Sequence, residues 1–218
     1  LGKYIIFALM FACIINFIMI FFIEYFDQTV KSLNDIEDRE LNVLALIPSI
    51  GNGKGVVYPN SNIINGRPNE LKRRLITKED PKSPISEAYR SLRTSLIYTQ
   101  KNEKNKANTI LISSPGPGEG KTTTIVNLAI TYANLGKKTI LIDSDLRKPV
   151  VHQIFNENRE SGLSQLLISN DIDYSKYIKS TVIDKFDIIP AGLLPPNPAE
   201  ILASKAMVRL LDYLSEKY

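Results

Sequence analysis

The chain has 218 residues, of which 44% are hydrophobic and 23% are charged, and its formal net charge at pH 7 is +4. This length and apolar content suffice for one globular domain with extensions. The single cysteine, Cys13, excludes an intrachain disulfide and indicates a soluble part built for a reducing compartment. The only histidine, His152, has no neighbouring Cys or His, which favours a packing or surface role over a metal site.

The N-terminal segment is strongly apolar. From Ile5 to Ile23 run 19 residues without a charge, interrupted only by Asn16, and Tyr4 and Tyr25 flank the run. Because roughly 20 apolar residues span a bilayer core, residues 1–26 are predicted to form one transmembrane helix. The rival interpretations are a buried core helix and a signal peptide, but the residues after the run lack the small-residue cleavage site that a signal peptide needs.

Residues 27–80 are predicted to form a juxtamembrane segment and linker. Asp27–Asp38 is polar with helical spacing, Leu41–Pro48 predicts a short strand, and Ser49–Asn69 is rich in Asn, Gly and Pro, as in a linker or an ordered loop. From Gly66 to Lys106 there are 11 Lys or Arg against 5 Asp or Glu. This stretch is either a solvated surface or a site of attraction to anionic lipid or an acidic partner, and no nucleic-acid motif accompanies it.

Residues 81–218 carry the patterns of a globular domain, beginning with a helix for which Ser86 is a candidate N-cap. Along that helix Glu87, Arg90 and Arg93 are three residues apart. This spacing puts one carboxylate and two guanidinium groups on one stripe, where they form local ion pairs or project into a neighbour. Since exposed pairs at this spacing are common, the residues alone favour local pairing.

A strand, a glycine-rich loop and a helix follow in direct succession. Thr109–Ile112 predicts the strand, and a helical pattern from Thr122 to Leu135 is closed by Gly136. Between them the motif G-x-x-x-x-G-K-[ST] is present with Pro115 in its first position instead of glycine. Backbone N–H groups of such a loop and the positive end of the helix cradle phosphates, so ATP is the predicted ligand. The predicted nucleotide-binding residues are Gly116, Gly118, Glu119, Gly120, Lys121, Thr122 and Thr123.

The next strand, Thr139–Ile142, completes a βαβ unit and ends at Asp143 and Asp145. In open α/β sheets ligands lie beyond the carboxyl ends of the strands, so both carboxylates are expected to face the triphosphate. Carboxylates near phosphates imply Mg²⁺, with Thr122 and Asp143 as its predicted ligands. Lys121, Asp143 and Asp145 are the predicted catalytic residues, and the alternative is a turn with solvated acids.

The remaining patterns complete an α/β domain. Phe186–Ile189 predicts a third strand, Pro195–Pro198 a rigid loop, and Ala199–Leu214 a helix. The predicted fold is therefore a P-loop NTPase-type, mostly parallel sheet flanked by helices and preceded by one transmembrane helix. Because the sequence starts at Leu1 and stops at Tyr218 within a helical pattern, we expect it to be part of a longer protein.

Three motifs together resemble the bacterial tyrosine kinases (BY-kinases) of capsule and exopolysaccharide synthesis. They are the loop Ser114–Thr122, the Ile-Asp-x-Asp-x-Arg-Lys-Pro run at Ile142–Pro149, and the Glu-x-x-Arg-x-x-Arg stripe at 87–93. Further segments similar to that family are Gly162–Ser164, Ile189–Gly192, Pro195–Glu200, and the apolar N-terminal helix with Asp27-x-x-Val30-Lys31 and Ile47-Pro48 after it.

The resemblance implies an ATP-dependent protein-tyrosine autokinase that regulates polysaccharide polymerisation and export. It implies that Lys121 and Thr122 bind ATP and Mg²⁺, and that Asp143 and Asp145 form a second acidic motif. It also reverses the preference for local pairing, because the stripe at 87–93 resembles the motif through which the family assembles into a homo-oligomeric ring. Expected partners are the polysaccharide export and polymerisation machinery, a cognate tyrosine phosphatase and membrane lipid. ATP binding places the kinase domain on the cytoplasmic side of the inner or plasma membrane.

The sequence also departs from the family pattern. The strand ending in Asp-Thr-Pro-Pro and the C-terminal tyrosine cluster are not in it, so 81–218 is expected to be a truncated kinase domain that lacks a metal-site carboxylate and has weak or no activity alone. MinD- and ParA-type ATPases are one alternative, but they often carry an extra lysine where this loop has Pro115, Gly116 and Pro117. The other alternative is a non-catalytic membrane regulator of chain length, with ATP binding as a switch.

Overall fold

The computed structural model describes residues 2–27, 29, 34–37, 39, 41–48, 75–101, 109–169 and 173–218. They belong to two compact units, residues 1–43 and 44–218. The predicted linker Ser49–Asn69, parts of the predicted 27–38 helix and much of the basic stretch lie outside the described residues.

The first unit contains a long helix, α1 (Gly2–Phe26), and a short one, α2 (Asn34–Glu37). At about 1.5 Å per residue, α1 is roughly 37 Å long, which exceeds the thickness of a bilayer core. None of its residues is buried, and its length and apolar composition suit a membrane-crossing helix. The predicted apolar segment is therefore helical throughout, and its place in a membrane stays a prediction.

The second unit alternates helices with three strands. Its helices are α3 (Ile76–Glu79), α4 (Pro84–Lys101), α5 (Lys121–Asn134), α6 (Val151–Ile154), α7 (Leu163–Ser169), a 3₁₀ helix (Tyr174–Tyr177), α8 (Pro198–Leu202) and α9 (Lys205–Ser215). The strands are β1 (Thr139–Ile142), β2 (Lys179–Ser180) and β3 (Phe186–Ile189).

The described strands form one mixed sheet in the order β1-β3-β2. β1 and β3 run parallel with Ile142 opposite Ile189, while β2 runs antiparallel to β3 with Lys179 opposite Ile188. The predicted βαβ unit around α5 is not complete among the described residues, because Thr109–Ile112 forms no strand there. The parallel strands β1 and β3 are instead joined by a connection that contains α6, α7, the 3₁₀ helix and β2. The α/β class is confirmed, and the described sheet contains one parallel and one antiparallel pairing.

Side chains of the sheet divide between two layers of core. Phe186 and Ile188 of β3 face one layer with Val126 and Ile130 of α5. Ile189 faces the other, which also holds the buried side chains Leu163, Leu166, Leu210 and Leu214 of α7 and α9. This alternation follows from the two-residue period of a strand. Helices therefore cover both faces of the sheet and hold its carboxyl edge in place.

Two predicted strands, Thr109–Ile112 and Leu41–Pro48, are not strands in the structure. Neither segment forms a ladder with another described segment, and Leu111 is 84% exposed. β-branched residues favour an extended backbone, but a strand also requires a hydrogen-bonded neighbour. The correction therefore concerns the pairing of these two segments.

Two helix boundaries also differ from the prediction. The N-cap of α4 is Ser83 and not Ser86, because Ser83 Oγ accepts a hydrogen bond from the Ser86 N–H at 3.1 Å and Pro84 fills the first helical position. The predicted helix 199–214 is two helices, since Ser204 starts a new one by accepting the Met207 N–H. The end of α5 agrees with the prediction: Gly136 takes φ 85° and donates its N–H to the Ala133 carbonyl at 2.8 Å.

Candidate nucleotide-binding site

The predicted phosphate loop leads directly into the N-terminus of α5. Gly118 and Gly120 have φ values of 82° and 95°, a region that favours glycine, so the loop can turn tightly before the helix. Gly120 is the N-cap residue of α5, and its carbonyl accepts the Thr124 N–H at 2.8 Å. The free N–H groups of the first helical turn therefore point toward the loop, as anion binding requires.

The Glu119 side chain forms a hydrogen bond across the loop. Its Oε2 accepts the N–H of Gly116 at 3.1 Å, and the Ser114 hydroxyl donates to the Gly116 carbonyl at 2.9 Å. A Cβ at Gly116 would lie 2.8 Å from the Glu119 carboxylate, so only glycine fits here without a shift of that side chain. Two of the predicted nucleotide-binding residues are thus in contact with each other.

The lysine of the loop lies beside the second acidic residue. Lys121 Nζ is 3.1 Å from Asp145 Oδ2, and both side chains are partly exposed, 33% and 24%. Asp145 Oδ1 accepts the backbone N–H groups of Arg147 and Lys148 at 3.3 and 2.9 Å. Burial acts to raise the pKa of Asp145, but the Lys148 N–H and the Lys121 ammonium outweigh it and hold that pKa below its usual value.

Asp143 follows β1 directly and is nearly buried, with 6% of its surface exposed. Its N–H continues the β1–β3 ladder by donating to the Ile189 carbonyl at 2.9 Å. Its two carboxylate oxygens accept the N–H groups of Asp145 and Val151, both at 3.2 Å. Burial raises the pKa of Asp143 to about 6 and outweighs these hydrogen bonds, which act to lower it.

The residues fit a magnesium ion carried by a nucleotide. The described residues contain no group of three or more His, Cys, Asp or Glu that could hold a metal alone. Mg²⁺ bound to phosphates needs only one or two protein ligands, because phosphate oxygens and water complete its shell. The Asp143 oxygens accept the N–H groups of Asp145 and Val151 and have lone pairs left for a further ligand. Asp143 is thus a buried acceptor at the carboxyl edge of the sheet, which suits a metal ligand.

The loop after β3 is closely packed at two glycines, Gly162 and Gly192, which the sequence analysis did not assign to the site. They are called the glycine clamp below. A Cβ at Gly162 would lie 2.3 Å from the Pro190 carbonyl oxygen, and Gly192 has φ 82°. Ser164, fully buried, donates to the Leu193 carbonyl at 2.6 Å. The Gly162–Ser164 motif therefore packs against Pro190 at the end of β3. Pro190 directly follows Ile189, whose carbonyl accepts the Asp143 N–H.

The stripe on α4 makes contacts within the chain. Arg90 Nη1 is 2.6 Å from Glu87 Oε2, and Arg90 also donates to the Pro81 carbonyl. Arg93 Nη1 donates to the Thr131 carbonyl of α5 at 2.7 Å, while its Nε is buried without a hydrogen-bond partner among the described residues. The predicted local ion pair is thus present between Glu87 and Arg90, whereas Arg93 instead links α4 to α5.

His152 lies on α6 and is partly buried. Burial, followed by the positive charge of Arg159, lowers its pKa, and its Nδ1 is buried without a hydrogen-bond partner in the described part of the chain. The side chain therefore favours the neutral form, in keeping with the predicted packing role.

A glycine-rich loop at a helix N-terminus, a lysine and two acidic residues at the carboxyl end of a parallel strand define a P-loop nucleotide-binding domain. A family model described as an AAA domain matches residues 107–211. The putative tyrosine-protein kinase CapB of Staphylococcus aureus is 39% identical over 144 residues, which are 66% of this chain and 62% of CapB.

Solved structures agree with this class. The crystal structure of the chimerical protein CapA2B2 has a TM-score of 0.70 at 34% identity, covering 86% of this chain and 72% of that one. The kinase domain of the Escherichia coli tyrosine kinase ETK has a TM-score of 0.72 at 28% identity, covering 87% and 70%. The chain belongs to the bacterial tyrosine kinase family, and it spans less than two thirds of the length of CapB.

Proposed function

We propose that the protein is an ATP-dependent protein-tyrosine autokinase that regulates the polymerisation and export of a capsule or exopolysaccharide. The observation that carries the proposal is the 3.1 Å ion pair between Lys121 Nζ and Asp145 Oδ2. It joins the cation of the phosphate loop to the acidic pair at the carboxyl edge of the sheet, where α/β proteins bind their ligands. Relatives named as tyrosine-protein kinases support the choice of reaction.

Each of the site residues has a separate role in the proposed phosphoryl transfer. Lys121 leaves Asp145 and binds the phosphates, with the N–H groups of the first turn of α5. Thr122 and Asp143 would hold Mg²⁺, which would supply neutralising charge for the transferring group. Asp145, no longer paired with the ammonium, accepts the phenolic proton as the tyrosine oxygen bonds to the γ-phosphorus and ADP leaves. Chemistry of this kind depends on positioning and charge, which these residues supply.

The test is transfer of label from γ-labelled ATP to tyrosine in the complete protein purified with its membrane helix. The expected result is phosphotyrosine that accumulates with time and requires Mg²⁺. If ATP binds but no tyrosine is labelled, the kinase proposal is wrong. The protein would then be a non-catalytic regulator of chain length, with ATP binding as a switch. Release of free phosphate without phosphotyrosine would instead indicate an ATPase of the MinD or ParA type.

The proposal includes a location and partners. An ATP-dependent reaction places the second unit in the cytoplasm, with α1 in the inner or plasma membrane, and the length and apolar composition of α1 support this. The proposed partners are membrane lipid, the polysaccharide polymerisation and export machinery, and a tyrosine phosphatase that removes the phosphate.

We also propose that α4 is the contact surface of a homo-oligomeric ring, in which each subunit phosphorylates its neighbour. Arg90 is 37% exposed, and its planar guanidinium can exchange Glu87 for a carboxylate of another subunit. Replacing Arg90 and Arg93 together with alanine in the complete cytoplasmic domain is expected to reduce the mass measured by light scattering to that of a monomer and to slow labelling. ATP affinity should change by less than about twofold, since neither side chain is at the phosphate loop.

The control for this experiment is Arg209→Ala, which removes an exposed arginine from α9. If the α4 variant and the control have the same mass as the wild type, the interface is elsewhere. The role of Arg93 would then be internal, because its hydrogen bond to the Thr131 carbonyl links α4 to α5.

A further inference from the structure

Asn127 occupies an unusual position on α5. It lies two turns into the helix that begins at the phosphate loop, in a run of buried apolar residues, and it is fully buried. Its Nδ2 donates to the carbonyl of Thr123 at 2.8 Å. Thr123 belongs to the first turn of α5, whose N–H groups are proposed to bind phosphate. The Nδ2 group of Asn127 is therefore hydrogen-bonded to the backbone of the proposed nucleotide site.

The other side of Asn127 is bound by a residue far away in the sequence. Its Oδ1 accepts the Thr77 N–H at 3.0 Å and the Thr77 hydroxyl at 2.8 Å. Thr77 lies on α3 and is 3% exposed, so these hydrogen bonds are shielded from water. A buried amide needs its partners, because leaving its donor or acceptor unsatisfied is costly. The orientation of the Asn127 amide is thus set by α3.

A second link joins the same region to α4. Tyr89 of α4 is 1% exposed, and burial raises the pKa of its hydroxyl, whereas the nearby side chain of Thr124, the residue after Thr123, lowers that pKa. Tyr89 therefore lies close to the first turn of α5, next to the residue that Asn127 contacts. Both links come from residues 75–101, which precede the loop in sequence.

We propose that Asn127 is a positioning residue for the nucleotide site and that Thr77 on α3 completes the site by fixing the Asn127 amide. This inference rests on the proposed nucleotide binding and goes beyond it, because it assigns a role in phosphate binding to α3, which lies outside the loop motif in the sequence.

Preorganisation explains how a distant hydrogen bond affects affinity. If the first turn of α5 is already ordered, the nucleotide meets N–H groups in their binding geometry. Without the Thr77 hydroxyl, the Asn127 amide is less restrained, so the turn samples other geometries and nucleotide binding must order it. Loss of one buried hydrogen bond of this kind is expected to weaken nucleotide binding about fivefold.

The experiment compares Thr77→Val, Thr77→Ser and Thr131→Val in the complete protein in detergent. Thr77→Val removes the hydroxyl at nearly constant shape, whereas Thr77→Ser keeps it. Thr131→Val is the matched control: Thr131 is a buried threonine of α5 whose hydroxyl donates locally, to the Leu128 carbonyl at 2.7 Å. Two quantities are measured, the dissociation constant of a fluorescent ADP with Mg²⁺ and the amide hydrogen exchange of residues 121–124 in the nucleotide-free protein.

The expected result is that Thr77→Val alone raises both the dissociation constant, by about fivefold, and the exchange rates at 121–124. Thr77→Ser and the control should match the wild type in both. If Thr77→Val lowers the melting temperature as the control does but leaves affinity and exchange unchanged, Thr77 is only a packing residue and the proposal is overturned. Failure of the wild type to bind ADP would instead reject the nucleotide site itself, while the exchange measurement still decides whether Thr77 orders the turn.

Discussion

Lys121→Met is expected to abolish tyrosine labelling while the fold remains intact. The substitution keeps most of the aliphatic stem and removes the ammonium that lies 3.1 Å from Asp145 and is proposed to bind the phosphates. Removal of a preorganised group that stabilises transition-state charge commonly costs a hundredfold or more in rate, so we expect labelling to fall by at least about a hundredfold. The measurement is incorporation from γ-labelled ATP, with circular dichroism as the test of folding.

The matched control for this variant is Lys137→Met, which removes an exposed lysine beyond the opposite end of α5. Its labelling should equal that of the wild type. If Lys121→Met were labelled at the wild-type rate, the ammonium would have no part in the reaction and the proposed chemistry would be rejected.

Asp143→Asn is expected to produce the second large loss of activity without a comparable loss of stability. A buried carboxylate without a cation is unfavourable in the folded state, and moving its pKa from 3.8 to about 6 corresponds to about 3 kcal/mol. Asparagine removes that penalty but brings an NH₂ group toward the N–H groups of Asp145 and Val151, which costs about 1–3 kcal/mol. The unfolding free energy should therefore change little or rise, whereas labelling should fall about a hundredfold because a metal ligand is lost.

The dependence on pH separates this explanation from a packing effect. Asp143 binds a proton more tightly in the folded state, so its contribution to stability becomes more favourable as the pH falls through about 6 toward 3.8. The unfolding free energy of the wild type, measured relative to Asp143→Asn, should increase as the pH is lowered across that window. Asp184→Asn, an exposed carboxylate before β3, serves as the control. A difference that is constant with pH would mean that burial does not perturb Asp143.

Local patterns predicted most of the elements that surround the site. β1, β3, α5 and the Gly136 cap follow from β-branched runs, helical periodicity and glycine at a C-terminus, which act within a few residues. The pattern also predicted that Lys121 and both carboxylates face one triphosphate, and in the structure Lys121 lies 3.1 Å from Asp145. Their contact depends on the general rule that strand ends and phosphate loops share one edge of the sheet.

What the sequence did not predict depends on partners distant along the chain. Thr109–Ile112 has strand propensity, but no property of those residues says whether another segment pairs with them. Ser83 and Ser86 are equally good caps by residue type, and only the contact geometry distinguishes them. The glycine clamp and the amide of Asn127 were missed for the same reason. The sequence did show that Asn127 is a polar residue in an apolar stretch of helix. Such a residue is expected to have a hydrogen-bond partner, but the pattern does not identify which residue that partner is.

The pairing of Lys121 with Asp145 has a consequence for which molecules the site selects. In the free protein the ammonium is already matched by a carboxylate, so the loop offers little net attraction to small anions such as inorganic phosphate. A ligand that displaces Asp145 must provide several negative oxygens to the lysine at once, as a polyphosphate chain does. In the proposed nucleotide site, the ion pair would therefore favour nucleoside di- and triphosphates over simple phosphates.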